Sequence, residues 1–226
     1  MDKTPPDYRH GHRMRLREKF LAGKLAEYEL LELLLAYAIP RRDVKPLARE
    51  CLRIFGSFHN ILCAPIGELE SVPGIGKSAA ILLKLVQEII LTDYKNVMAD
   101  KPIFEDYRAF ENYCRMQLSG KPTEEFHVLY LDKHRQLIQA EIHSRGAADY
   151  AEIYPIEIAK RSVALNAKCV ALLHNHPSRL TSFSQEDIKA THVVMQKLAA
   201  LGIEFFDHFV VSGGTVHSMK NCHLLK

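Results

Sequence analysis

The sequence lacks the marks of several large protein classes. Its five cysteines, Cys51, Cys63, Cys114, Cys169 and Cys222, include no pair at C-x-x-C spacing. An odd number without that spacing argues against a disulfide framework or a cysteine zinc cluster, and reduced thiols in a cytoplasm are the simpler expectation. Long hydrophobic runs are missing too. The most apolar stretch, Ile81 to Leu91, is broken by Lys84 and Glu88, so it cannot span a bilayer. Met1-Asp2-Lys3-Thr4-Pro5-Pro6 has no apolar core like that of a signal peptide. There is no internal repeat and no low-complexity tract. The formal net charge of +3 is too weak to imply nucleic acid by itself. These absences leave a cytoplasmic globular protein with no membrane partner. Its 226 residues allow one large domain or two small ones.

What is present falls into two halves. Residues 13 to about 96 read as helix throughout. Ala26 to Tyr37 is built from strong helix formers, and Ile39-Pro40 ends that run. Val44 to Ile54 predicts a second helix, closed by Gly56 in a left-handed conformation. Ile66 to Glu70 predicts one short turn of helix. Ser78 to Asp93 predicts a longer helix, with Ala79, Leu82, Leu83, Leu85, Val86 and Ile89 on a broad apolar face. Met98 to Pro102 reads as a domain boundary and Ile103 to Leu118 as a connecting helix. After the break at Ser119-Gly120-Lys121-Pro122 the pattern changes. Phe126 to Asp132 reads as a buried strand, with Leu137 to Ile142 as its hairpin partner. Helices are expected over Pro155 to Leu165 and Gln185 to Leu201, and strands over Cys169 to Leu173 and Ile203 to Val211. In the Gln185 helix, Ile188, Thr191, Met195, Leu198 and Leu201 stand at helical spacing. The expected fold class is α/β (α+β): a helical domain over residues 1–97, a linker and connecting helix over 98–122, and a mixed sheet with flanking helices over 123–226.

The chemistry concentrates in Leu173-His174-Asn175-His176-Pro177 and Ser184-Gln185-Glu186-Asp187. Two histidines at i and i+2 on extended backbone point to one side. They follow an apolar strand, at the end where α/β folds place their sites. Asp187, in the first turn of the next helix, can point back toward them. Two imidazoles and a carboxylate make a three-ligand zinc site with the fourth tetrahedral position left to water. Plainer readings stand beside this one. His-x-His is common on surfaces and in cores. Ser184 with Asp187 resembles a capping box, serine at the N-cap and an acid three residues on. For Ser184 the two readings are compatible. For Asp187 they compete, because a carboxylate held by the N-cap amide has less freedom to ligate.

The full spacing, His-x-His, seven residues, Ser, two residues, Asp, is the JAMM (MPN-plus) signature. His174-Asn175-His176-Pro177-Ser178 is also close to the HNHPSG run of the RadC family. Gly11 to Arg17, Asp43 to Ala48, and Asp207-His208-Phe209-Val210-Val211 (like the family's DHxI strand) are similar to RadC segments, so the resemblance covers nearly the whole chain. It implies a JAMM/MPN-type, cytidine-deaminase-like domain holding Zn2+ through His174, His176 and Asp187. It implies hydrolysis of a peptide, isopeptide or related amide in a protein or peptide substrate, by a water that the zinc activates. A glutamate outside the metal's ligands would move the proton, and Ser184 would donate to the developing oxyanion. Glu124 and Glu125 both precede Phe126; Glu124 is favoured because it lies two residues before the strand phenylalanine, as in the relatives resembled. Three departures stand out. Arg179 replaces a usual glycine, Ile156 a common arginine, and Gly146-Ala147 a usual Gly-Thr. Arg179 adds bulk and charge beside the site.

Val72 to Ala80 resembles a helix-hairpin-helix turn. Gly74 and Gly76 would let backbone approach a phosphate, and Lys77 adds charge. The implied partner is non-specific DNA, supported by Arg13, Arg15 and Arg17 only if they share a face, which a spacing of two on a helix opposes. Gly76-Lys77-Ser78 is not a nucleotide P-loop, since Ser71 stands where that motif needs glycine. A bland reading, a tight interhelical turn, remains. Two functions therefore compete: a zinc hydrolase tethered to nucleic acid, and a non-catalytic DNA-repair accessory protein with a structural or vestigial zinc site. An inactive MPN interaction module would lack ligands, and none is missing.

Overall fold

The computed structural model describes residues 8–103, 105–146, 152–178 and 180–225. Arg179 and Ala147, two of the departures from the family pattern, lie outside the described residues. The chain splits into two compact units, Met1–Val86 and Gln87–Lys226.

The first unit is helical: α1 (Tyr8–Leu21), α2 (Glu27–Ala38), α3 (Lys45–Phe55), α4 (Phe58–Cys63), α5 (Ile66–Ser71) and the beginning of α6 (Lys77–Asp100). Its helix ends follow from local chemistry. α2 stops at Ile39, the residue before Pro40. Gly56, with φ 82°, closes α3 in the left-handed region that side chains disfavour. Arg13 on α1 donates to the carbonyls of Ile39 (3.1 Å), Arg42 (2.8 Å) and Pro40. It thereby satisfies acceptors at the end of α2 and just beyond it. The nearby His12 meets the buried Glu32 carboxylate at 2.6 Å. His12, Arg13, Glu32, Asp43 and Lys45 line a cavity of about 250 Å³, so the Gly11 to Arg17 and Asp43 to Ala48 runs meet in space. Lys84 donates to the carbonyls of Leu62 (2.8 Å) and Ala64 (3.1 Å), closing the end of α4.

The apolar face of α6 differs from the expected one. Ala79, Ala80, Leu83, Gln87, Leu91 and Met98 are buried, whereas Leu85 and Ile89 are exposed. Residues two apart on a helix point in nearly opposite directions, so a stripe through Leu83 and Gln87 turns Leu85 and Ile89 outward. α6 continues to Asp100, and the two units part inside it.

The second unit continues with α7 (Tyr107–Leu118), β1 (Glu125–Leu131), β2 (Leu137–Arg145), α8 (Pro155–Ala164), β3 (Cys169–Asn175), α9 (Gln185–Ala199), β4 (Glu204–Ser212) and β5 (Thr215–Ser218). α7 starts later than Ile103 because Asp106 caps it, accepting from the Ala109 amide at 3.0 Å. The sheet order is β2-β1-β3-β4-β5. β3 and β4 are parallel and joined through α9, and every other pair is antiparallel. This is a mixed α/β sheet with flanking helices, as the sequence pattern predicts. β1 and β3 are buried on both faces, which explains their unbroken apolar runs. On one face Phe126, Val128, Tyr130, Val170 and Leu172 pack with Ile158 of α8 and with Val194 and Leu198 of α9. On the other face Phe110 of α7 meets Phe209 edge-on at 4.7 Å. On α9 the buried positions are Asp187, Thr191, Val194 and Leu198. Leu201, expected on that face, lies past the helix end and is exposed. Among the described residues no helix is long and apolar enough to cross a membrane.

β5 was not anticipated, although its signal is in the sequence. Gly213 (φ 56°) and Gly214 (φ 80°) join it to β4 in a two-residue turn with positive φ at both positions, the geometry that glycine pairs favour in hairpins. A Cβ at either glycine would meet no atom within 4 Å, so any penalty is conformational. The double change to alanine should lower stability by roughly 2–4 kcal/mol, at about 1–2 kcal/mol per left-handed residue. Asparagine at both sites should cost markedly less. Urea denaturation measures both, and equal stability of the alanine variant and the parent would refute the turn assignment.

Candidate metal centre

The centre is built at the end of β3. Alternation along that strand puts His174 on the α8/α9 face and Asn175 on the other. His174 pairs across the sheet with Phe126, whose ring lies over the imidazole at 5.9 Å and 15°. The His176 amide donates to the Val211 carbonyl at 3.0 Å, which carries the extended course one residue past the strand. Its ring therefore returns to the side of His174. Nε2 of His174 lies 2.9 Å from Nε2 of His176. Asp187, at the third position of α9, reaches both: Oδ1 is 3.7 Å from His174 Nε2 and Oδ2 is 3.7 Å from His176 Nε2. A tetrahedral zinc with bonds of about 2.0–2.1 Å sets its ligand atoms roughly 3.3 Å apart, between these separations. His176 Nδ1 donates to the Leu180 carbonyl at 2.8 Å; a carbonyl only accepts, so a singly protonated ring presents a bare Nε2 to the cluster. The donor set fits a JAMM-type zinc site.

The capping box is also formed. The Ser184 hydroxyl accepts from the Asp187 amide at 3.0 Å and donates to Asp187 Oδ2 at 2.7 Å. The Ser184 amide donates to the same Oδ2 at 2.8 Å. One carboxylate oxygen thus serves the helix start while Oδ1 faces His174. Burial pushes Asp187 upward, but His176, His174 and Ser184 outweigh it and the net direction is down. Burial, reinforced by the neighbouring His176, lowers His174 to about 4, with Asp187 opposing. At His176 burial also works downward, yet the hydrogen bonds to Asp187 and Leu180 prevail and its pKa is raised.

The two glutamates before Phe126 have different surroundings. Glu125 faces away from the centre, on the side of its strand that His127 shares. It lies 3.2 Å from His127, 3.3 Å from Lys121 and 3.3 Å from Arg145. The His127 hydrogen bond, with Lys121, holds its carboxyl down to about 2 against burial. Glu124 is buried, and its charge acts on His176. Asn175 grips the backbone on either side of it, accepting from the Glu125 amide at 2.9 Å and donating to the Thr123 carbonyl at 3.1 Å.

Sequence reasoning did not assign Asn175, His208 or Thr191 any role here. His174 Nδ1 lies 2.8 Å from His208 Nε2, and His208 Nδ1 lies 2.7 Å from the Thr191 hydroxyl. The available signal was a histidine inside an apolar strand, since a buried ring nitrogen needs a partner. Of the hairpin turn residues, Gly74 (φ 104°) and the exposed Gly76 and Lys77 sit just before and at the start of α6, apart from this centre in sequence and in the first compact unit.

A carboxylate with a depressed folded-state pKa stabilises the fold fully above its unfolded pKa and loses that contribution as pH falls through the folded value. For Glu125 the window runs from 4.5 down to about 2. Glu125→Gln should cost roughly 1.5–3 kcal/mol at pH 7, and the gap to the parent should narrow as the pH drops through that window. Denaturation at a series of pH values measures it; a gap independent of pH would contradict the charge assignment.

Comparison with known proteins agrees with the geometry. The family model described as RadC-like JAB domain matches residues 104–224. A UPF0758 protein of Rhodobacter capsulatus is 40% identical over 208 residues, covering 91% of this chain and 97% of that protein. A UPF0758 protein of Ruegeria pomeroyi is 39% identical over 209 residues, covering 91% of this chain and 93% of that protein. With a matching family model over more than half its length and such relatives over nearly all of it, the chain belongs to the RadC family.

Proposed function

We propose that this protein is a zinc-dependent hydrolase of the JAMM type that cleaves a peptide, isopeptide or related amide bond. The observation that carries the reading is the convergence of one donor atom each from His174, His176 and Asp187, all within 4.8 Å of one another, at the buried end of β3. These three residues would hold the zinc. When bound, zinc supplies a Lewis acid and lowers the pKa of water toward neutrality. Glu124 is the general base: it accepts the proton of the attacking water and returns it to the leaving amine nitrogen. Its burial, its electrostatic effect on His176 and the Asn175 grip on its flanking peptides support that choice over Glu125, which is engaged by His127, Lys121 and Arg145. Ser184 would donate to the developing oxyanion, for which its hydroxyl must turn away from Asp187 Oδ2.

Elemental analysis should find about one zinc per parent chain and much less in His174→Ala and Asp187→Ala. Glu124→Gln should keep the zinc and lower amide hydrolysis by about 10²–10⁴-fold. Equal zinc in the parent and Asp187→Ala would make Asp187 a helix cap only, and would favour a non-catalytic, DNA-associated protein. Loss of turnover in Glu125→Gln with retention in Glu124→Gln would reverse the choice of base.

We also infer that the first unit contacts nucleic-acid phosphates through Gly74, Gly76 and Lys77. The support is a glycine of positive φ shortly before the start of a 24-residue helix, where Gly76, Lys77 and Ser78 are exposed. Arg13 is excluded from that contact because carbonyls hold its guanidinium. Lys77→Glu should weaken duplex binding without base preference and reduce the salt slope by about 1. Unchanged affinity, with zinc content also unchanged, would leave a plain interhelical turn.

A further inference from the structure

His174 can serve a metal only through a bare Nε2, and an imidazole with one proton has two places to keep it. The buried groups behind His174 decide which. Thr191 Oγ1 lies 2.6 Å from the Asp187 carbonyl oxygen and 2.7 Å from His208 Nδ1. The hydroxyl has a single proton, and the carbonyl has none. Two oxygens at 2.6 Å need a proton between them, so Thr191 donates to Asp187. Its remaining contact is then as an acceptor, and His208 must carry its proton on Nδ1. A singly protonated His208 ring with its proton on Nδ1 presents a lone pair at Nε2. That lone pair lies 2.8 Å from His174 Nδ1, which must therefore hold the proton of His174. His174 Nε2 is left bare, facing His176 and Asp187.

We propose that Thr191 and His208 are positioning residues that lock His174 in the tautomer a metal needs. The chain of donors closes on itself. It begins at the backbone carbonyl of Asp187 and runs through Thr191, His208 and His174 to the pocket that the Asp187 side chain lines. It ties a residue of β3 to one of α9 through β4, and every donor in it has a defined acceptor. The proposal rests on the metal-site reading above for its purpose, but the tautomer itself is a property of the metal-free protein. Partners behind metal-binding histidines commonly set both ring orientation and basicity, and their loss typically costs 10–100-fold in metal affinity.

Three variants separate this role from packing. Thr191→Val keeps the shape and removes the acceptor of the His208 proton. His208→Leu removes the acceptor of the His174 proton. His208→Gln can still offer an amide oxygen to His174 Nδ1. Two measurements are made on each: zinc affinity by competition with a chromophoric chelator, and long-range ¹H–¹⁵N spectra of the metal-free protein, which distinguish a protonated from a bare ring nitrogen. The metal-free parent should show His174 protonated at Nδ1 and bare at Nε2. His208→Leu and Thr191→Val should bind zinc about 10–100-fold more weakly and let the His174 proton occupy either nitrogen, while His208→Gln should stay close to the parent in both. A parent whose His174 carries its proton on Nε2 overturns the proposal. So does undiminished zinc affinity in both His208→Leu and Thr191→Val, and so does a His208→Gln variant as impaired as His208→Leu, which would reduce His208 to a packing role. If the parent takes up no zinc, the hydrolase reading fails, and the metal-free spectrum still decides the tautomer.

Discussion

Ser184 and Asp187 satisfy each other at the start of α9, and that exchange determines where the Asp187 carboxylate lies. Oδ2 receives the Ser184 amide and hydroxyl, while Oδ1 is left toward His174. A free aspartate side chain rotates about two bonds. Here the cap removes most of that freedom before any ligand arrives, in the manner of a preorganised site. The sequence presents cap and ligand as competing uses of one residue. In the fold the cap holds Oδ2, which also lies 3.7 Å from His176 Nε2, and leaves Oδ1 toward His174. Everything else at the centre, from the burial of His174 to the hydrogen bond of Thr191, is arranged around an α9 that begins at this point.

Burial then sharpens the chemistry. His174 is wholly enclosed under Phe126, and its pKa falls to about 4. A buried neutral imidazole is a better metal ligand than an exposed one competing with protons. Across the sheet the opposite arrangement holds for Glu125, where His127 and Lys121 keep the carboxylate ionised. Two consecutive glutamates thus belong to different environments: Glu125 opens β1 on the face opposite Phe126, whereas Glu124 lies just before the strand.

The first unit shows how misleading a count of charges is. Arg13 and Lys84 look from the sequence like surface cations, yet both close off helix-terminal carbonyls. Each side chain finds its partners more than a dozen residues away, so no local pattern reveals the engagement. The two N-terminal runs similar to RadC segments likewise find their common meaning only around the cavity they line.

Local rules in the sequence determined the helix ends at Ile39 and Gly56, the buried character of β1 and β3, and the spacing that places two histidines on one side of a strand end. These depend on proline sterics, left-handed glycine and the two-residue strand period, all of which act over a few residues. The hairpin at Gly213-Gly214 was equally legible, and went unread. Only the tertiary structure decided the buried stripe of α6, where propensity cannot say which side meets a neighbour and Leu85 and Ile89 face out. Only it brought His208 and Thr191 behind His174. Those contacts cross three elements, and their directions follow from which buried atoms own a proton, a question that has no answer until the atoms are side by side.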